Sequence, residues 1–430
     1  MIRTLAIAAA AILLSAAAAH AQLAVHAERL HTVTNGTINN ATVLIEDGRI
    51  TAVGPTAEIT APDHYQHLHA PVVTPGLIDA RTTAGLTGIL NARGQAHDQD
   101  MLETSAPIQP ALRAIDAYNP REELVTYLRS FGITTIHTGH APGELVSGQT
   151  LIAKTRPTTI DDAVINPFRA VTATLDPAAL KQGNNSPGTR AKAVSMLRDA
   201  LIDAREYADK VNAAKLDPTT EPPPRNLTHE ALAAVLEGDK PLIITANRAQ
   251  DIASAMRLAE EFGFTLWLDS AAEAYTLIDE IRDAEHPVII HPTMARHAGT
   301  TQNASFTTAA RLTDAGITVA IQSGYESYVP KVRVVLFEAA IAAAYELGQQ
   351  RALEAITIIP ARLLGIADIV GSIEPGKHAD LALYSGDPFE YTTQCLGTII
   401  EGETVSQGER PNERDTPNHQ TDPNTNTDNR

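Results

Sequence analysis

The chain has 430 residues, 43% of them hydrophobic and 20% charged, with a formal net charge of -18. That balance supplies an ample core and excludes disorder for most of the length, while the negative charge opposes binding to nucleic acid and to anionic membrane surfaces. The single cysteine, Cys395, excludes an internal disulfide.

Met1, Ile2 and Arg3 form a short basic start, an apolar run covers residues 5–19, and Ala19-His20-Ala21 has the small-x-small pattern of signal cleavage. Residues 1–21 are therefore expected to be a signal peptide, leaving Gln22 first in an exported, periplasmic chain. The run is short for a membrane span and has no stop-transfer pattern, so the mature chain is not expected to be membrane-embedded.

Alternating apolar residues over 41–53, broken by Asp47-Gly48, predict a β-hairpin, because that dipeptide tolerates the positive φ of a primed turn. Residues 22–74 thus read as the first part of a small β-domain. From Pro75 to about Gly365, short apolar runs alternate with helical periodicities, the pattern of βα units. Eight runs qualify as barrel strands: 77–80, 133–138, 151–154, 170–174, 242–245, 264–269, 288–291 and 318–322. Helical patterns over 189–211, 251–261 and 332–347 fill gaps between them. The expected fold is α/β, a TIM-like (β/α)8 barrel over 75–366.

β character returns over 379–384 and 396–405. A lone hairpin is marginal in water, so residues 367–406 are expected to join the N-terminal strands in one discontinuous β-sandwich domain. Residues 407–430 are rich in proline, asparagine, aspartate and threonine without an aromatic residue, and are expected to form a disordered tail.

The segment Val73-Thr74-Pro75-Gly76-Leu77-Ile78-Asp79 resembles the first barrel strand of the amidohydrolase superfamily, especially its imidazolonepropionase-like members. Pro360-Ala361-Arg362-Leu363-Leu364-Gly365 and Gly371-Ser372-Ile373-Glu374-Pro375-Gly376-Lys377-His378-Ala379-Asp380-Leu381 resemble its C-terminal signature. The resemblance implies a hydrolase of carbon-nitrogen bonds with one or two divalent ions at the C-terminal mouth of the barrel. Such an ion lowers the pKa of its water and polarises the scissile carbonyl, and it needs imidazole and carboxylate ligands.

This sequence departs from that ligand pattern. Where the resemblance implies histidine, any residue, histidine after the first strand, Arg81 and Thr83 stand; Thr245 replaces a later histidine, and Gly324 replaces an aspartate. Arginine is permanently charged and offers only donors, so it repels a cation. Asp269 occupies another frequent histidine place and is the catalytic candidate. Lys154 resembles a strand lysine that some members carboxylate, whereas its residue chemistry alone favours pairing with a carboxylate.

His137 and His140 follow one strand and His291 ends another, so these three are the candidates for a replacement metal site. Arg81, Lys154 and Gln322 are ligand-binding candidates at strand ends, and Asp98 and Asp100 are candidates on the insertion after the first strand. A divalent ion is the cofactor implied by the resemblance, yet tight binding is not expected with these ligand places. Two readings follow: a hydrolase of a small amide or cyclic amide using His137, His140, Asp269 and His291, or a catalytically silent periplasmic binding or assembly protein that keeps the pocket. In both, the partner is a small molecule.

Overall fold

The computed structural model describes residues 22–88, 99–181, 186–293, 299–325 and 334–407. The expected signal peptide, residues 408–430 of the expected tail, His97, Asp98 and the first positions of the helix expected from Val332 lie outside the described residues.

Both chain ends build one seven-stranded sheet. Its N-terminal strands are β1 (Leu23–His31), β2 (Thr37–Glu46), β3 (Arg49–Pro55) and β4 (Gln66–Pro75); its C-terminal strands are β14 (Leu381–Tyr384), β15 (Cys395–Ile400) and β16 (Glu403–Ser406). The order is β16-β15-β14-β4-β1-β2-β3, with β4 parallel to β1 and antiparallel to β14. The expected hairpin is β2–β3, turning through Asp47 and Gly48 at φ 49° and 76°. The sandwich takes the form of this single sheet curled on itself. Ala379 N–H donates to Gly48 O at 2.9 Å and Ile50 N–H to Lys377 O at 2.9 Å, closing the curl around Val25, Val43, Ile45, Val73, Leu381 and Ile399.

Gly76 alone separates β4 from the first barrel strand, β5 (Leu77–Thr82). The barrel continues through β6 (Ile133–Gly139), β7 (Val146–Lys154), the short β8 (Val164–Asn166), β9 (Val171–Thr174), β10 (Leu242–Ala246), β11 (Leu266–Ser270), β12 (Val288–Ile290) and β13 (Val319–Ile321). These are the eight expected strands, with β8 added beside β7. One direction differs from expectation: β7 runs antiparallel to both β6 and β9. Only six residues, 140–145, connect β6 to β7. A parallel crossover needs a dozen or more, so this connection forces a hairpin. The seam between β13 and β5 is bridged by the chain at 355–356, where Ile321 N–H donates to Ala355 O at 3.0 Å and Ile78 N–H to Ile356 O at 2.8 Å.

The helices pack outside. Helix α1 (Arg190–Leu216) is capped by the Thr189 side chain. Helix α2 (Ala249–Phe262) buries Ile252, Ala255, Leu258, Ala259 and Phe262, a stripe at helical spacing. Helix α3 (Val335–Ala342) ends in a π turn over Ala343–Leu347. No helix among the described residues is long and apolar enough to cross a membrane.

Candidate active site at the barrel mouth

Strand period two sets the inner face of the barrel. Ile243, Trp267, Ile289 and Ala320 form an inner apolar layer, distinct from the outer cluster that holds Ile244, Leu268, Ile290 and Ile321. Two residues further along the same strands, at their C-terminal ends, Thr245, Asp269, His291 and Gln322 form a polar layer above it. A cavity of about 400 Å³ opens over this layer, lined by Asp176, Thr245, Asn247, Ser270, His291 and Tyr325 among others.

Asp269 is fully buried and organises the floor of that cavity. Its Oδ1 accepts from Gln322 Nε2 at 2.6 Å and from the Tyr325 hydroxyl at 2.8 Å; its Oδ2 accepts from Thr245 Oγ1 and, at 3.4 Å, from Ser270 Oγ. A carboxylate has about four lone-pair directions, so these donors saturate it. Three of the four, Thr245, Ser270 and Tyr325, line the cavity. Asp269 therefore acts through the hydroxyls it aims. Gln322 is a strut, its Nε2 also donating to Ile289 O at 3.0 Å. Burial, followed by the charge of Asp269, pushes the Tyr325 phenol well above its ordinary range, so it keeps its proton.

His291 stands 3.9 Å from Glu338 Oε2 through Nδ1. Glu338 is itself fixed by Thr293, whose N–H and Oγ1 donate to it at 2.7 and 2.6 Å. Gly324, with φ 80°, passes so near the ring that a Cβ there would lie 2.3 Å from His291 Nε2. An aspartate at this place would displace His291 and strain the backbone.

Asp79, in the first-strand motif, is buried beside this group. Its Oδ1 accepts from Ser323 N–H at 3.1 Å and Arg81 N–H at 3.3 Å, and among the described residues Oδ2 has no hydrogen-bond partner. Burial pushes its carboxyl up to about 7, against the opposing pull of those hydrogen bonds and of His291. Asp79 was present in the sequence motif but carries no signal there of its burial.

Arg81 is 1% exposed. Its NH1 donates to Thr82 O at 2.7 Å and its NH2 to His140 O, and the guanidinium sits 5.3 Å from the centre of the Tyr325 ring. Burial, then this cation, holds the His140 ring down to about 4 and His137 well below its ordinary value. His137 uses both nitrogens: Nδ1 donates to Ala80 O at 2.8 Å and Nε2 meets Thr150 Oγ1 at 2.7 Å.

The remaining candidates lie elsewhere. Asp100 and His140 line a separate cavity of about 290 Å³ on the insertion side. Lys154 is carried to the opposite end of the barrel by the reversed direction of β7, where its Nζ lies 2.5 Å from Asp380 Oδ2 with both side chains buried. It pairs with a carboxylate of the small sheet and does not face the mouth. Asp98 is outside the described residues.

The residues at the mouth, as placed, do not fit a divalent ion. Both His137 nitrogens are occupied, Asp269 is saturated by donors, and the buried Arg81 guanidinium stands at the end of the first barrel strand. Among the described residues no group of three or more His, Cys, Asp or Glu is placed to hold a metal.

Comparison with known proteins places this geometry in context. The profile described as the amidohydrolase family matches residues 65–406, and that of the bacterial imidazolonepropionase-like composite domain matches residues 43–61. Amidohydrolase tasK of Hapsidospora irregularis is 23% identical over 382 residues, covering 80% of this chain and 38% of that protein. The chain thus spans well under half the length of that curated relative. The crystal structure of an amidohydrolase from Thermotoga maritima MSB8 superposes with a TM-score of 0.81 at 25% identity, covering 90% of this chain and all of the other. A zinc-bound adenosine deaminase from Xanthomonas campestris, at 16% identity and a TM-score of 0.53, covers 91% of this chain and 94% of its own and shares the fold. A family match over residues 65–406, the barrel clasped by a sheet from both chain ends and the first-strand motif agree that this chain belongs to the amidohydrolase family.

Proposed function

We propose that the chain is an exported hydrolase that opens a non-peptide carbon-nitrogen bond in a small amide or cyclic amide at the barrel mouth, with the family's ordinary metal site replaced by a hydrogen-bonded organic one. The observation that carries this reading is the Asp269 hub, which saturates itself with donors while aiming Thr245, Ser270 and Tyr325 into a cavity of ligand size. A carboxylate with no free lone pair holds these hydroxyls in fixed directions without competing for the substrate, so that the Thr245 and Ser270 oxygens meet its N–H groups as acceptors and fix its orientation.

Proton exchange falls to His291, which lines the cavity beside the hub. Asp79 lies buried behind it, its carboxyl pushed up to about 7 by burial, and its charge is felt by His291. In this reading His291 takes a proton from water and returns one to the leaving nitrogen, and Asp79 tunes it from behind without touching the substrate. Asp269 is a positioning residue here.

The test is turnover of a panel of lactams and cyclic ureides by the purified protein, with and without a strong chelator, followed by mass spectrometry for the gain of one water. The reading expects ring opening that survives the chelator. Saturable ligand binding with no opened product would instead establish the silent binding protein.

A further inference from the structure

The hydrogen-bond directions at the mouth fix what the cavity can recognise. Thr245 and Ser270 each have a single hydroxyl hydrogen, and each donates it to Asp269, which can only accept. Tyr325 likewise directs its hydroxyl hydrogen at Asp269. What Thr245 and Ser270 present to the cavity is therefore the acceptor side of their oxygens, suited to N–H groups of a ligand.

A second, independent observation concerns a charge on the wall beside Thr245. Asp176 lines the same cavity and is 5% exposed. Its Oδ1 accepts from Ala178 N–H at 3.2 Å and its Oδ2 from Asn247 Nδ2 at 3.0 Å, both neutral donors. Arg190, whose charge is coupled to Asp176, commits Nε and NH2 to Asp251 at 2.6 and 3.2 Å. Among the described residues no cationic nitrogen pairs with Asp176. A nearly buried carboxylate at a cavity wall, hydrogen-bonded by neutral donors and reached by Arg190 only at longer range, favours a ligand cation that pairs with it directly.

The buried Arg81 guanidinium does not cancel this. Arg81 is enclosed behind the Tyr325 ring, with donors on two backbone carbonyls, and is not among the cavity's lining residues.

We propose that the mouth cavity selects a small basic amide, a cyclic or linear amide that also carries an ammonium or amidinium group, with Asp176 pairing with the cation and Thr245 and Ser270 accepting from its N–H groups. This names the substrate class for the hydrolase reading above and rests on that reading only for turnover, since selection is a matter of binding.

Three lactams of similar size separate the possibilities: 3-amino-ε-caprolactam is cationic, ε-caprolactam neutral and pyroglutamate anionic. Isothermal titration of each into the full mature chain reads affinity without requiring reaction. The cationic lactam should bind about tenfold or more tightly than the neutral one, and pyroglutamate most weakly. Asp176→Asn keeps the volume and the capping acceptor for Ala178 but turns an amide toward Asn247 Nδ2, so its melting is measured beside its binding; it should lose the preference for the cation while still binding neutral ε-caprolactam as the parent does, which separates lost charge from lost fold. Equal or tighter binding of pyroglutamate would assign recognition to Arg81 and overturn the proposal. So would a preference that survives Asp176→Asn, or failure of the cationic lactam to bind. If that lactam binds selectively but is never opened, the hydrolase reading falls and the selection stands.

Discussion

Lys154 and Asp380 form a buried ion pair, Nζ to Oδ2 at 2.5 Å, that joins barrel strand β7 to the residue just before strand β14 of the small sheet. Asp380 also accepts from Glu401 N–H through Oδ1 at 3.0 Å. Removing one partner strands a charge in the joint. Lys154→Ala or Asp380→Ala should cost about 3–5 kcal/mol in urea unfolding, whereas replacing both partners with Met and Leu should be far milder. Equal losses in the single and double variants would contradict the pairing.

The clasp itself makes a different prediction. Strand β4 is held between β1 and β14, and Gly48 O accepts from Ala379 N–H across the curl. Deleting residues 379–405 uncovers an edge of β4 and opens the core around Val43 and Ile45. Hydrogen exchange should then lose protection in residues 41–53, far away in sequence. Unchanged protection there would mean that the two ends fold independently.

Asp79 gives the fold a pH dependence of defined sign. Its carboxyl titrates near 7 in the folded chain against an ordinary 3.8. Below that ordinary value both states hold the proton. As pH rises from about 4 to 7, the unfolded chain releases it and the folded chain keeps it, so stability falls through this window and levels off above it. The contribution lost is on the order of a few kcal/mol at most. Asp79→Asn should flatten this slope in unfolding measured from pH 4 to 8, and an unchanged slope would count against the assignment.

Much of this was legible in the sequence. The eight barrel strands fall where the apolar runs placed them, and Asp47-Gly48 makes the expected primed turn. The direction of β7 is hidden from a reading that starts its apolar run at Leu151. Its true start at Val146 leaves only six linking residues, too few for any parallel crossover. That single reversal also decides Lys154, which a parallel strand would have carried to the mouth. The Asp269 hub was illegible for another reason: its donors come from β10, from Ser270 beside it and from the segment after β13, and spacing along a chain does not reveal which groups converge. Asp176 left one local trace, an aspartate before Pro177 that caps a short 3-10 turn just after β9.

The hub can be tested directly. Asp269→Asn replaces an acceptor oxygen by an amide that donates into at least one of four donors, so two hydrogens face each other in a buried space. Loss of charge-assisted bonds should destabilise by about 3 kcal/mol or more, and turnover should fall at least tenfold as Thr245, Ser270 and Tyr325 lose their orientation. Full activity in a normally folded Asp269→Asn protein would show that the hydroxyls need no such anchor.

Whether the barrel mouth of this amidohydrolase-family chain works without a divalent ion is tested most directly by elemental analysis of protein purified without chelator. The buried Arg81 guanidinium, the occupied His137 nitrogens and the donor-saturated Asp269 predict far less than one tightly bound divalent ion per chain. Close to one equivalent of zinc or manganese, lost when His137, His140 and His291 are together replaced by alanine, would contradict the account and establish those histidines as a metal site.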